Sequence, residues 1–288
     1  MRRIKERIVY VLLGGLTIIT LLALGFVMVF IIKEALPLFR EVSLREFLFT
    51  TKWMPVSGIG LKMHFGIGNF IASTIYVSVL AMIIATVVSV GAAIYLGCVS
   101  TEQQRGLWYP FIDLLAGIPS VIYGFVGLTV LVKLFLKAGV KSGSCILAAS
   151  IVLAVMLFPY MISSCSETLR KNTEQYLPVG SAMGIDSWYT ISSVILPASL
   201  KSIVISMILA IGRAMGETMA VMMVAGNANL FPKLFGKGET VASVIALEMG
   251  TAVNGSTHFH ALYGAGLVLM VLLLAIRLIM NAIAKRLL

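Results

Sequence analysis

Residues 202–232 read SIVISMILAIGRAMGETMAVMMVAGNANLFP, and Arg213 and Glu217 are the only ionisable side chains among them. The stretch is long enough to cross a hydrocarbon core about 30 Å thick. An ionisable residue near the middle of such a span costs roughly 2.5 to 3.5 kcal/mol on insertion scales, and a polar pathway is the usual reason to bear that cost.

The rest of the composition agrees with a bilayer as solvent. Of the 288 residues 59% are hydrophobic and 12% charged, and the mean hydropathy of +1.02 excludes a soluble globular domain. A formal charge of +10 raises nucleic acid as a partner. However, the lysines and arginines are scattered among loops and ends with no basic stripe interleaved with aromatics, so nucleic acid is set aside and membrane lipid kept. Cys98, Cys145 and Cys165 lack metal-ligand spacing and read as small buried residues.

Apolar segments of spanning length fall at 8–32, 69–99, 107–132, 144–165, 202–225 and 261–284. The first follows Arg2, Arg3, Lys5 and Arg7, which resembles the start of a signal peptide. Its apolar run is too long and lacks a cleavage site, so it is expected to stay as an anchor. Six spans put both termini on one side. Basic residues at the two ends, including Lys285 and Arg286, point to the cytoplasm, although the loops taken alternately are nearly balanced in positive charge. The fold class expected is an all-α membrane protein of six transmembrane helices, with residues 1–288 as one domain. The segments 33–68 and 227–260 are surface loops on the outer side.

The cytoplasmic loop at 167–201 is the most distinctive. Pro178 suits a first helical position, Gly184 a left-handed stop and Asp186 a cap, predicting two short helices. Ile185, Trp188, Ile191 and Ile195 then recur at helical spacing, and Pro197 breaks the pattern before the fifth span. Such a stripe fits a partner's groove; a helix lying on the membrane is the alternative.

On the fifth span Gly212, Gly216 and Ala220 form a small-residue seam that admits a close helix neighbour. Arg213 and Glu217, four apart, are expected to share a face beside that seam and to look into the bundle. Arginine offers a planar fork matched to oxyanions, whereas the nearby carboxylate keeps such affinity low. A buried ion pair that fixes helix register is the alternative. On the third span Pro119 frees the carbonyl of Leu115 and predicts a kink, either a gating hinge or an ordinary accommodated proline. Asp113 reads as an interfacial or capping carboxylate. His64, His258 and His260 do not share a face for a metal. Gly236-Lys237-Gly238 lacks the surroundings of a phosphate-cradling loop, and no hydrolytic constellation stands out, so neither an enzyme nor a cofactor is expected.

These motifs carry a resemblance. Gly184, Leu196 and Pro197, with Val194 at an isoleucine position, are in register with the coupling loop of ABC importer permeases, although Pro178, Val179 and Gly180 replace its Glu-Ala-Ala triplet. Leu115 to Phe125 (LAGIPSVIYGF) and Gly212 to Val221 (GRAMGETMAV) resemble the phosphate-specific permeases, the PstC type more than its PstA sister. The resemblance implies a permease core over about 70–284 and a cytoplasmic coupling loop at about 167–201. It also implies a substrate pathway at Arg213 and Glu217 and a gating or pathway helix at Gly117, Pro119, Ser120 and Tyr123. ATPase coupling would fall to Gly184, Asp186, Trp188, Ile191, Leu196 and Pro197. The partners implied are a PstA-type second permease, PstB-type cytosolic ATPase subunits and a PstS-type extracytoplasmic binding protein, in a prokaryotic plasma membrane. Permeases for molybdate or sulfate share the architecture; a stand-alone anion channel or secondary carrier is the reading from another class.

Overall fold

The computed structural model describes residues 2–55 and 62–287, with side chains described for 9–55 and 62–285. The side chains of Arg2, Arg3, Lys5, Arg7 and Arg286, on which the orientation reading leans, lie outside that set. Among the described residues six helices are long and apolar enough to cross a membrane.

The first helix, α1 (Arg2–Ala35), lies antiparallel along the last, α13 (Thr257–Leu287). Phe30 meets Tyr263 edge to face at 5.7 Å, and a ring nitrogen of His260 lies 2.7 Å from the carbonyl of Glu34 near the end of α1. The chain's two ends therefore sit on one face of the bundle, called here the terminal face. Most of α1 is otherwise bare, as a lipid-facing helix would be. On the opposite face α2 (Leu38–Glu41), α3 (Leu44–Phe49) and the hairpin of β1 (Trp53–Met54) with β2 (His64–Phe65) build a small cap. Its apolar centre joins Leu38, Phe47, Phe65 and Phe70 to Leu262 of α13.

The bundle is organised around two helices. The first is α4 (Gly68–Ile94), which ends in a π turn over Tyr95–Val99; the second is α8 (Ile146–Ala182). Lipid tails are as apolar as leucine, so helices in a bilayer are held by close packing and interhelical hydrogen bonds, and small residues bring them near. Ala81 and Ala85 of α4 and Ala149 and Ala154 of α8 are buried in the common core. At Gly97 the approach is close: a Cβ there would stand 2.7 Å from Cβ of Leu169 and 3.0 Å from the carbonyl oxygen of Ser166.

At 37 residues α8 is about 56 Å long at 1.5 Å per residue, well beyond the hydrocarbon thickness. The expected loop at 167–201 is mostly this overhang. Lys171–Glu167 at 3.1 Å and Arg170–Glu174 at 3.7 Å, both i,i+4 pairs, support the overhang. Pro178 sits inside α8, not at a first helical position; its exposed turn leaves the freed carbonyl of Glu174 within reach of water. The expected break at Pro197 is also absent. The residues α9 (Ser187–Thr190), a π turn over Ile191–Ile195 and α10 (Leu196–Gly216) form one continuous helix. The π turn shifts the hydrogen-bond ladder just before Pro197, whose missing N–H falls in the first turn of α10.

Two expected spans are instead interrupted. The third element comprises α5 (Glu102–Gly117), a break at Ile118 and Pro119, α6 (Ser120–Val126), a π turn over Gly127–Leu131 and α7 (Val132–Lys137). After α10 the backbone is extended at Glu217, and α11 (Met219–Ala225) follows, stopped by Gly226 at φ +88° and Asn227 at φ 42°. The last short helix is α12 (Val241–Glu248).

Replacing Gly97 by valine places methyl groups where Leu169 and the Ser166 carbonyl already stand. We expect a loss of about 1 to 3 kcal/mol of stability, read as lower yield and an earlier thermal transition of the purified protein. A transition unchanged from wild type would show that α4 and α8 are not held at this distance.

Candidate translocation site

Arg213 stands in the last turn of α10 and is exposed; among the described residues no carboxylate lies within 4.0 Å of it. The expected shared face with Glu217 is overturned by the break at Gly216. Glu217 lies outside α10 in extended backbone, and its carboxylate accepts from the backbone N–H of Ala220 at 3.1 Å, capping α11. Glycine at 212 and 216 followed by a side chain that prefers an N-terminal amide cluster explains why the helix stops here.

The third element breaks beside it. The Leu115 carbonyl that Pro119 frees accepts from the Tyr123 hydroxyl at 2.7 Å and from the Ile118 N–H at 3.3 Å. The proline thus gives a full interruption between two half-helices, more than the expected kink, because a side chain supplies the donor the backbone lost. Arg213 is a charged neighbour of that same Tyr123 hydroxyl. Half-helices α6 and α11 pack together where a Cβ on Gly124 would lie 2.9 Å from Cα of Ala220. Of the seam read from the sequence, only Ala220 makes a close helix contact. A Cβ at Gly212, at Gly216 or at Gly117 would meet nothing within 4 Å, so those faces are open. Ser120 opens α6, and Asp113 is exposed in the last turns of α5, whose caps are Thr101 and Ile118, so the expected capping role falls away.

Sequence reasoning missed what joins α10 to the overhang of α8. Ser164 and Ser206 are 2.6 Å apart, Thr168 donates to Ser202 at 2.8 Å, and Asn172 donates to Ser199 at 2.8 Å. The spacing of four on α8 was legible, but the facing residues on α10 are not deducible without the pairing. These bonds tie the first half of α10 to α8 over Ser164–Asn172.

That turn is specified closely. Gly184 at φ +72° lets its N–H reach the Ser181 carbonyl at 3.1 Å while Ile185 N–H reaches Gly180 at 3.0 Å, a Schellman closure of α8. Asp186 then accepts from Trp188 and Tyr189 N–H at 2.9 and 3.2 Å, capping α9 as expected. The expected outward stripe divides. Trp188 is 64% exposed, whereas Ile191 at 6% and Ile195 at 0% turn inward onto Cys165 and Leu169, and Leu196 is half-buried beside them. The outward apolar set is Met183, Trp188 and Tyr189, all 60% exposed or more. Pro197 is exposed at the start of α10.

The opposite face holds a second polar group. Trp53 Nε1 donates to both oxygens of Glu248 at 2.9 and 3.1 Å, and His258 lies 2.8 Å from the same carboxylate. Glu239 is buried nearby, and burial, reinforced by the charge of Glu248, pushes its carboxyl up to about 7.

The family described as binding-protein-dependent transport system inner membrane component matches residues 89–288. The chain is 32% identical to the phosphate transport system permease protein PstC of Xylella fastidiosa, over 92% of this chain and 88% of that one. It is 33% identical to a probable PstC of Methanocaldococcus jannaschii, over 81% and 79%. A probable ABC transporter permease of Bacillus subtilis, YqgH, is 33% identical over 86% of this chain and 80% of its own. Among solved structures the inward-facing MetNI methionine ABC transporter has a chain of the same fold, with TM-score 0.59 at 15% identity, covering 75% of this chain and 93% of that one.

The Glu239 carboxyl holds its proton more tightly in the folded than in the unfolded chain, where 4.5 is its ordinary value. Its ionisation therefore opposes folding, and the stability present below that range falls as pH rises from 4.5 through about 7. Thermal transitions of the purified protein should drop between pH 5 and 8, and Glu239→Gln should flatten most of that slope. An equally steep slope in the variant would assign the effect elsewhere.

Proposed function

The chain belongs to the binding-protein-dependent transport system inner membrane components, and from that premise we propose that it is a permease subunit of an ATP-driven phosphate importer. The observation that carries the phosphate reading is Arg213, an arginine without a carboxylate partner among the described residues, beside two interrupted helices. The similarity to PstC proteins supports it. A planar guanidinium matches two phosphate oxygens and stays charged at physiological pH. Engagement must remain weak enough for release, since a conduit that binds tightly does not conduct. Glu217, held by the Ala220 N–H of α11, sets a negative charge close by and repels an anion that lingers.

The two breaks supply the moving parts. Between Gly117 and Ser120, at Ile118 and Pro119, the backbone leaves the helical ladder, and the Tyr123 hydroxyl on the Leu115 carbonyl holds the half-helices in one arrangement. Exchange of that bond is the gating step in this reading. The open faces at Gly117, Gly212 and Gly216 receive the second, homologous permease, which completes the pathway.

Energy enters from partner ATPase subunits at the cytosolic terminal face, since this subunit is assigned no ATP site. Gly184 and Asp186 shape the turn, Trp188 is the anchor that enters an ATPase groove, and Ile191, Leu196 and Pro197 seat the turn on α8 and α10. Closure of the ATPases would push this turn, and the polar pairs between α8 and α10 would carry the displacement toward Arg213. An extracytoplasmic binding protein delivers phosphate at the opposite face and makes most of the substrate choice.

Two measurements test this. In proteoliposomes holding the complete complex, Arg213→Gln should lower phosphate uptake at least about tenfold, the scale of one lost charge-assisted contact, with Arg213→Lys intermediate. Wild-type uptake by the assembled glutamine variant would overturn the pathway role. Trp188→Asp should weaken ATPase association by at least about thirtyfold, as loss of an aromatic anchor of about 2 kcal/mol does. An intact complex with normal substrate-stimulated ATP hydrolysis would remove the turn from coupling.

A further inference from the structure

On the terminal face a cleft of about 540 Å³ opens between the start of α10 and the end of α13. Lys201 stands on one wall and Lys285 on the other, with Asn281 between them and Ile205, Leu278 and Ala282 as an apolar floor. A second cavity of about 450 Å³ lies farther along the same two helices, where Ile208, Leu209, Gly212 and Arg213 of α10 stand across from Leu274 and Arg277 of α13, with Met28 of α1.

The charge in this groove is one-sided. Neither α10 nor α13 contains an acidic residue. The carboxylates of the α8 overhang are engaged elsewhere, Glu167 with Lys171 and Glu174 with Arg170, and Asp186 caps α9. Two ammonium groups and an amide thus meet at the mouth of an apolar furrow, and among the described residues no carboxylate lies within 4.0 Å of them.

We propose that this groove binds one anionic phospholipid, with its phosphodiester between Lys201 and Lys285 and one acyl chain lying between α10 and α13. Basic pockets between transmembrane helices recognise anionic headgroups in this way, and the apolar stems of the lysines add contact with the glycerol region. The lengths agree. An acyl chain spans about half of the ~30 Å core, or about 15 Å. Lys201 and Arg213 are twelve residues apart on one helix, about 18 Å. A chain of that length laid along α10 from Lys201 enters the second cavity and stops about 3 Å short of the level of Arg213, which lines the same cavity. A soluble peptide would leave the apolar floor at Ile205 and Leu278 uncovered, and inorganic phosphate would use only the mouth.

The headgroup contacts at Lys201 and Lys285 are separate from Arg213, so their failure would not touch the phosphate reading, nor the reverse. Native mass spectrometry of the intact transporter in detergent, titrated with dioleoyl phosphatidylglycerol, dioleoyl phosphatidylcholine and inorganic phosphate in separate arms, provides the test. We expect one phosphatidylglycerol per copy of this chain at concentrations where phosphatidylcholine is unbound. Lys201→Gln and Lys285→Gln should each weaken it about fivefold, the factor for one basic side chain at an anionic surface, and together about twentyfold. Lys133→Gln with Lys137→Gln, on α7, should change nothing. Equal binding of the two lipids, indifference to both glutamine variants, or displacement of the lipid by millimolar phosphate would overturn the proposal. The substitutions fall on exposed side chains, so assembly should be retained; normal ATP hydrolysis confirms that the complex measured is intact.

Discussion

Close packing of α4 against α8 is the contact on which the remaining elements depend. In a bilayer, apolar surface alone does not bring helices together, so their approach rests on residues that take little space and on hydrogen bonds that lipid does not replace. Gly97, Ala81, Ala85 and Ala149 supply the first, and the pairs Ser164–Ser206, Thr168–Ser202 and Asn172–Ser199 supply the second by fastening α10 to α8, while Ala210 and Ala214 of α10 share the core with α4. With α4 and α10 both packed on it, α8 continues as helix past the hydrocarbon thickness instead of as a loop.

The interruptions at Ile118–Pro119 and Glu217–Thr218 follow a different rule. Non-helical backbone at membrane depth survives where its polar groups find partners in protein. Here Tyr123 answers the Leu115 carbonyl and the Glu217 carboxylate answers the Ala220 amide. Each break is thus closed by one side chain, an arrangement that can be exchanged without unfolding a helix. Arg213 and the open glycines at 117, 212 and 216 lie around this weakly fastened region, while the cap at the opposite face, with Trp53 and His258 on Glu248, is fastened more heavily.

Much of the site was legible as residue choice and little of it as geometry. Arg213 was marked by the expense of a charge in an apolar run, Gly184 by the left-handed turn it now makes, and Asp186 by the amides it now caps. The pairing of Arg213 with Glu217 at i,i+4 assumed an unbroken helix, and local spacing says nothing about a carboxylate that finds the Ala220 amide in the next helix. Pro178 and Pro197 were read as boundaries because proline usually ends a helix in water. At 178 solvent receives the freed carbonyl, and at 197 a π turn absorbs the mismatch. Ile191 and Ile195 looked like an outward stripe because periodicity gives a face without saying which neighbour covers it; Cys165 and Leu169 do.

The sequence by itself determined the solvent, since 59% hydrophobic and 12% charged residues can fold only with most of their surface in lipid. It also determined the number of spans and the positions of the costly charge and the backbone turns, because hydropathy, glycine and capping chemistry act over a few residues. Tertiary structure decided where helices break, which side chains close the breaks, which apolar face is buried and which basic residues line a common groove. Those outcomes depend on atoms brought together from distant parts of the chain, as Asn172 is to Ser199 and Lys201 to Lys285, and no local pattern encodes such a meeting.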